Sequence, residues 1–200
     1  MYSLQQLLSR PEVSSMPHPL ISIGNALRRF RHNRQGSAAV EFAMIAPLFF
    51  GLLFAIIETA MVFFAGQVLE TVTQDSARLI MTGQAQTAAY TQAQFKTNVC
   101  GRIGVLFDCL NGIFIDVQSY PGFASVAINS QIDGAKNFVN NMKYCPGNAG
   151  DIVVVRLFYQ WPLFVTGLGY NITNLNGSKR LLSATAAFRN EPFLANPSPC

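Results

Sequence analysis

One apolar run dominates the pattern of hydrophobic and polar positions along this chain. Residues 42–57 include no charged side chain and no strong hydrogen-bonding side chain, and the run continues to Ala65 with only Glu58 and Thr59 as polar interruptions. A helix needs about 20 apolar residues to cross the hydrocarbon core of a bilayer. The pattern therefore predicts a membrane-spanning helix, with Glu41 at one end of its most apolar part and Glu58 at the other.

The same helix is predicted to extend well beyond the apolar run. Apolar residues recur at helical spacing among polar ones as far as about residue 82, and Thr82-Gly83 is a typical C-terminal cap. Pro47 removes one backbone donor and is expected to kink or loosen the first turns. After a polar connector at 84–90, the spacing Thr91-Gln-Ala-Gln94 matches a capping box and predicts a helix from about 91 to 104.

The remainder of the chain has the pattern of strands. Alternating apolar positions and β-branched runs predict strands at about 113–118, 151–161 and 182–188, and 126–128 is a candidate for a short fourth. The predicted fold class is therefore α+β. A long N-terminal transmembrane and amphipathic helix is followed by a small, mostly antiparallel sheet with one short helix.

The net charge of the chain lies upstream of the apolar run. Residues 1–36 hold five Arg and one Glu, whereas the other residues hold nine Lys or Arg and nine Asp or Glu. An excess of positive charge before a membrane helix keeps that side in the cytoplasm. The chain then divides into a basic cytoplasmic leader (1–36), a transmembrane and amphipathic helix (37–83) and an exported α+β domain (84–200).

The leader leaves two questions open. Residues 20–34 could form a short basic amphipathic helix on anionic lipid, or the leader is a disordered basic tail that only sets topology. Met16 is an alternative start to Met1. An ordinary secretory signal peptide is not indicated, because the basic region is too long and the apolar run exceeds the usual length of about 7–15 residues.

All four cysteines lie on the side that is predicted to be exported, where an oxidising compartment favours disulfides. Cys100 and Cys109 enclose a short segment and are the preferred pair. Their bond would contribute about 2.5–3 kcal/mol through chain entropy. Cys145 then pairs with Cys200 by elimination, or Cys200 stays free for an intermolecular link.

The predicted exported domain offers little for catalysis. Ser-His-Asp and Cys-His sites need an imidazole base, and both histidines, His18 and His32, lie in the leader. The cysteines lack zinc-ligand spacing, and no glycine-rich nucleotide motif occurs. We therefore expect no enzyme, no metal or cofactor, no small-molecule substrate and, given the neutral charge after residue 36, no nucleic acid. One arrangement stays open, a carboxylate pair among Asp108, Asp116, Asp133 and Asp151.

Several short stretches of the chain share one resemblance. The stretches are Gly36-Ser-Ala-Ala-Val-Glu41-Phe42-Ala-Met-Ile-Ala-Pro47, Ile57-Glu58-Thr59 and Ser76-Ala-Arg78 and, with less specificity, Tyr159-Gln-Trp-Pro162 and Phe188-Arg-Asn-Glu-Pro192. Together they resemble the TadE-like family of pseudopilins, which are minor, pilin-like components of the tight-adherence (Flp) pilus machinery of bacteria.

The resemblance implies a processing site and an assembly segment. A prepilin peptidase would cut after Gly36, leaving Ser37 as the mature N-terminus with its new amine four residues from Glu41. Glu41 would then help to align neighbouring subunits, in a segment that includes Phe42, Pro47 and Glu58. Main Flp pilins more often carry Tyr at the position of Phe42, which favours a minor component.

Each carboxylate also has a plainer interpretation. Glu41 could be an interfacial residue of a simple anchor. Glu58 lies about 25 Å further along a helix, where it could be a solvated interfacial residue or contact a partner subunit.

The resemblance and the predicted topology together imply a single-pass pseudopilin of the inner membrane. Its domain would be periplasmic, and the protein could be incorporated in the pilus. Its partners would be the peptidase, the major Flp pilin, a second pseudopilin and the assembly platform. The alternative is a membrane-anchored adhesin or binding module without processing.

Overall fold

The structure is a computed structural model that describes residue 28 and residues 36–104, 106–166 and 170–194. The predictions for the leader before Gly36, apart from residue 28, and for Cys200 lie outside this part. The α+β class is confirmed, because a long apolar helix precedes short helices and a three-stranded antiparallel sheet. The helices are α1 (Ser37–Met81), α2 (Gln84–Thr87), α3 (Gln92–Arg102) and α4 (Cys109–Gly112), and the strands are β1 (Ile113–Tyr120), β2 (Ile152–Pro162) and β3 (Lys179–Arg189).

The chain divides into two compact units, Met1–Phe49 and Phe50–Cys200. The described residues of the first unit, apart from residue 28, begin at Gly36 and form the start of α1. The helix continues through Pro47, so the proline does not end it. Large apolar side chains of this segment are exposed, among them Val40, Phe42, Met44, Ile45 and Leu48.

In the second unit, α1 has one buried face. Its buried residues recur every three or four positions, which places them in one stripe along the helix. The stripe shares a hydrophobic core with one face of the sheet. The stripe residues are Glu58, Val62, Ala65, Leu69, Val72, Thr73, Ser76, Ala77 and Ile80.

The sheet has the order β1-β2-β3, with β2 in the centre. Val117 pairs with Val155 and Val155 pairs with Ala186, so that apolar residues of all three strands lie on one face. These side chains are nearly inaccessible to solvent and pack in the core that contains the α1 stripe.

The opposite face of the sheet carries a buried ion pair. Asp116 faces Arg156 across β1 and β2. Arg156 donates to Asp116 Oδ2 from Nη2 at 2.7 Å and from Nε at 3.1 Å, and to the Asn129 carbonyl at 2.9 Å. The backbone N–H of Lys143 donates to Asp116 Oδ1 at 2.9 Å. The pair therefore ties the β1–β2 connection to the sheet at two points, near residues 129 and 143.

The β1–β2 connection covers this second face. Phe138 packs between the rings of Phe114 and Phe158, at centroid distances of 4.7 and 6.1 Å. The predicted strand at 126–128 is wrong, because these residues are irregular chain after a 3₁₀ turn at Phe123–Ser125. Isolated bridges occur later in the connection, between Ile132 and Phe138 and between Tyr144 and Val117 of β1. Burial raises the pKa of Tyr144 to about 12, so its hydroxyl is neutral at physiological pH.

The end of α1 is joined to the end of β3. The Glu191 N–H donates to the Met81 carbonyl at 2.9 Å. Gly83 has a φ of 75°, as the predicted Thr82-Gly83 cap requires, and a Cβ there would lie 2.3 Å from Cγ of Phe193. The side-chain amide of Asn190 also donates to the Pro146 carbonyl at 3.0 Å, which links the residue after β3 to the β1–β2 connection.

The short helices follow their local sequence signals. The capping box at α3 is confirmed, since Thr91 accepts from the Gln94 N–H and Gln94 accepts from the Thr91 N–H at 2.8 Å.

A disulfide joins Cys100 in α3 to Cys109 at the start of α4, which is the pairing that the sequence analysis preferred. Cys145 is not a free thiol and hydrogen-bonds through Sγ with Ser119 Oγ at 2.9 Å. The predicted Cys145–Cys200 pair involves a residue outside the described part.

Candidate functional site

Gly36 and Ser37 are exposed at the start of α1. A Cβ built on Gly36 would meet nothing within 4 Å, and its φ is outside the left-handed region that favours glycine. Neither packing nor backbone conformation within the described residues therefore explains why position 36 is a glycine.

Glu41 and Phe42 lie on the exposed surface of the first α1 segment. Phe42 is 64% exposed although it is a large apolar side chain. Glu41 is exposed as well, and it forms no ion pair with the other described residues. The described part of this segment thus presents a carboxylate and several exposed apolar side chains.

The part of α1 that belongs to the second unit has an exposed apolar surface of its own. Only part of the helix surface is used by the core, which begins at Glu58. The 18-residue apolar window that qualifies α1 as a candidate membrane span has none of its residues buried. The exposed large side chains of the second unit on α1 are Phe50, Leu52, Leu53, Phe54, Ile56, Ile57, Met61, Phe63 and Phe64.

Glu58 is a buried acceptor within its own chain. It is 8% exposed, and its Oε1 accepts hydrogen bonds from the backbone N–H groups of Phe164 at 2.5 Å and Val165 at 3.2 Å. The interpretation of Glu58 as a solvated residue is therefore wrong. Its part in subunit alignment stays a prediction.

Thr59 adds a second link at the same level of α1. Its hydroxyl donates to the Ala55 carbonyl at 2.7 Å and also hydrogen-bonds with the hydroxyl of Tyr170. Glu58 and Thr59, the only polar interruptions of the apolar run, therefore both bind the connection between β2 and β3. No sequence signal marked Phe164, Val165 or Tyr170 as their partners, because more than 100 residues separate each pair.

The remaining stretches of the resemblance are mainly packing positions. Ser76 and Ala77 are buried in the α1 stripe, where small side chains let the helix approach the sheet, and Arg78 is exposed. Tyr159 and Trp161 pack around the ring of Phe107, at centroid distances of 4.9 and 6.0 Å. These residues build the fold that supports the exposed part of α1.

The four aspartates considered for catalysis are used separately. Asp116 pairs with Arg156, Asp108 caps α4, and Asp151 accepts from the Asn148 N–H at 2.7 Å. Asp133 accepts hydrogen bonds within its own turn, and the Asn137 backbone N–H lowers the pKa of its carboxyl. In the part of the chain that the structure describes, no cluster of three His, Cys, Asp or Glu residues could hold a metal ion. The carboxylate pair left open by the sequence is not assembled.

A comparison with protein families gives one match. Residues 36–78 match the family model described as TadE-like protein. The match begins at the exposed Gly36 and ends at Arg78 in α1. No curated protein and no solved structure matches the chain. The family match supports an involvement in the tight-adherence pilus system, whose TadE-like proteins are structural rather than catalytic.

Proposed function

We propose that this chain, a TadE-like protein by its segment 36–78, is a minor pseudopilin of a bacterial tight-adherence (Flp) pilus. One observation carries the proposal. The most apolar part of the chain lies within the family match, and the 18-residue window that qualifies α1 as a membrane span has no buried residue. A helix with so large an exposed apolar surface needs lipid or other helices around it. The pseudopilin acts by assembly, and its helix packs beside other pilin-like helices in the membrane.

The topology of the proposal follows from the distribution of charge. Five arginines precede the apolar segment, so the N-terminus stays in the cytoplasm and the domain built on β1–β3 is periplasmic. The disulfide between Cys100 and Cys109 agrees with this topology, because disulfides persist in the periplasm and are rare in the cytosol. The membrane is the bacterial inner membrane.

Processing by a prepilin peptidase after Gly36 is the next step of the proposal. Gly36 and Ser37 are exposed at the start of α1, which leaves the bond between them accessible to the peptidase. The cut would leave an α-amine on Ser37, four residues before Glu41. In hydrocarbon a carboxylate is costly unless it is paired. The amine of a neighbouring subunit is a suitable partner, which gives Glu41 its role in aligning subunits.

Crosslinking tests the proposal as a whole. The full chain is crosslinked in cells that express the pilus machinery, and complexes are purified from the membrane fraction. We expect to recover pilin-like subunits, namely the major pilin and a second pseudopilin, together with the assembly platform. A monomer that crosslinks to none of them and binds a sugar or another surface ligand would contradict the proposal and support a membrane-anchored adhesin.

A further inference from the structure

The loop after β2 displays an exposed aromatic residue at the end of the sheet nearest to Glu58. Phe164 is 86% exposed, although the preceding Leu163 is buried. The loop is fixed at this point, because Leu163 N–H donates to the Ser178 carbonyl at 2.9 Å and Phe164 N–H donates to Glu58. An anchored backbone that holds a phenylalanine in solvent is unfavourable for a domain surrounded by water.

The anchor places Phe164 beside the apolar surface of α1. Phe54 and Met61 lie four residues before and three residues after Glu58, and therefore on the same side of the helix. Both are exposed, at 54% and 41%. Phe54 lies only about 6 Å from Glu58 along the helix axis. If Phe54 lies in hydrocarbon, Phe164 is at the level where the hydrocarbon meets the headgroups.

The neighbouring side chains suit a lipid interface. Pro162 pairs with Lys179 and Trp161 pairs with Arg180 at this end of the sheet. Lys179 is exposed, and Arg180 is half-buried with its guanidinium on the Ile172 carbonyl at 2.7 Å. Aromatic residues are enriched where a membrane meets water, and basic residues near the surface are attracted by anionic headgroups.

We infer that Phe164 is a second membrane contact, which inserts into the outer leaflet of the bilayer that α1 spans. Glu58 acts as the positioning residue, since its two backbone hydrogen bonds hold the loop against the helix where the helix leaves the bilayer. The occupant of this surface is lipid, because the apolar surface of α1 continues directly into it. The contact would keep the Pro162–Lys179 end of the sheet against the membrane. This inference rests on the proposed function, because it requires α1 to span the membrane.

Fluorescence in proteoliposomes tests the inference. The wild-type chain has one tryptophan, so Phe164→Trp and Phe123→Trp each add one emitter to the same Trp161 background. Phe123 is a matched control, because it is 68% exposed but follows β1 at the opposite end of the sheet. Each full-length chain is reconstituted at a low protein-to-lipid ratio, with phospholipids that carry bromine near the headgroup end of their acyl chains.

The expected result is selective quenching. Brominated lipid should remove most of the emission that Phe164→Trp adds and leave the emission added by Phe123→Trp unchanged. Flotation of the liposomes shows separately whether the chain is membrane-inserted. Floating protein with an unquenched tryptophan at position 164, or with equal quenching at both positions, would overturn the lipid contact alone. Protein that does not float would overturn the proposed membrane function together with the inference.

Discussion

Replacing Asp116 with Ala is expected to lower the free energy of unfolding by about 3–5 kcal/mol, because it leaves a buried cation without its counter-charge. Arg156 and Asp116 are 6% and 2% exposed, so water cannot replace the lost carboxylate. The substitution also removes the acceptor for the Lys143 N–H, although the backbone hydrogen bonds of Val117 with Lys143 and Cys145 remain. Domains of this size are stable by only about 5–15 kcal/mol. The loss is therefore a large part of the total.

Urea unfolding of the full chain in mild detergent measures this effect, with Trp161 fluorescence as the probe. Asp75→Ala is the control, because Asp75 is exposed on α1 and its loss should change stability by less than about 0.5 kcal/mol. The double variant Asp116→Leu with Arg156→Met should recover much of the loss, since a buried ion pair can be replaced by apolar side chains. A stability of Asp116→Ala equal to that of the control would show that the pair is not buried as described.

Replacing Glu41 with Ala is expected to abolish most surface pili while leaving membrane insertion intact. The apolar run that is proposed to span the bilayer begins after Glu41 and is unchanged, so the anchor is expected to remain. The loss falls on the contact between subunits. One polar contact between helices in a membrane contributes about 1–2 kcal/mol. Since about 1.4 kcal/mol is a factor of ten in affinity, association should weaken about tenfold for each contact.

Counting pili on cells and fractionating membranes measures the two effects separately. Glu70→Ala is the matched control, because it removes the same charge from an exposed position of the same helix, outside the apolar run. This control should assemble pili normally. Normal piliation with Glu41→Ala would contradict the alignment role and leave Glu41 as an interfacial residue of a plain anchor.

Local signals in the sequence predicted the long helix, the helix that begins at Gln92 and the three strands, but not the short helices Gln84–Thr87 and Cys109–Gly112. The capping box at Thr91, the C-terminal cap at Gly83 and the alternating runs of β1–β3 each depend on residues that are close in sequence. Helix and strand periodicities also place the α1 stripe and the core face of the sheet correctly. The family match rests on the same kind of local pattern at 36–78.

The contacts made by polar residues could not be predicted in this way. The alternation in β1 suggests that Asp116 faces solvent, because every second residue leaves the core face. Its side chain is buried because the irregular connection after β1 covers that second face. Glu58 is a similar case, since its donors lie more than 100 residues away in a loop without periodicity. Tertiary contacts between distant segments decide both environments.

The mature N-terminus of the chain tests the central claim most directly. The protein is purified from membranes of cells with and without the prepilin peptidase, and its first residue is identified by N-terminal sequencing and intact mass. The account predicts Ser37 as the first residue when the peptidase is present, and the uncleaved leader when it is absent. An intact leader in both strains, or a mature chain found outside the membrane and beginning elsewhere than Ser37, would contradict it.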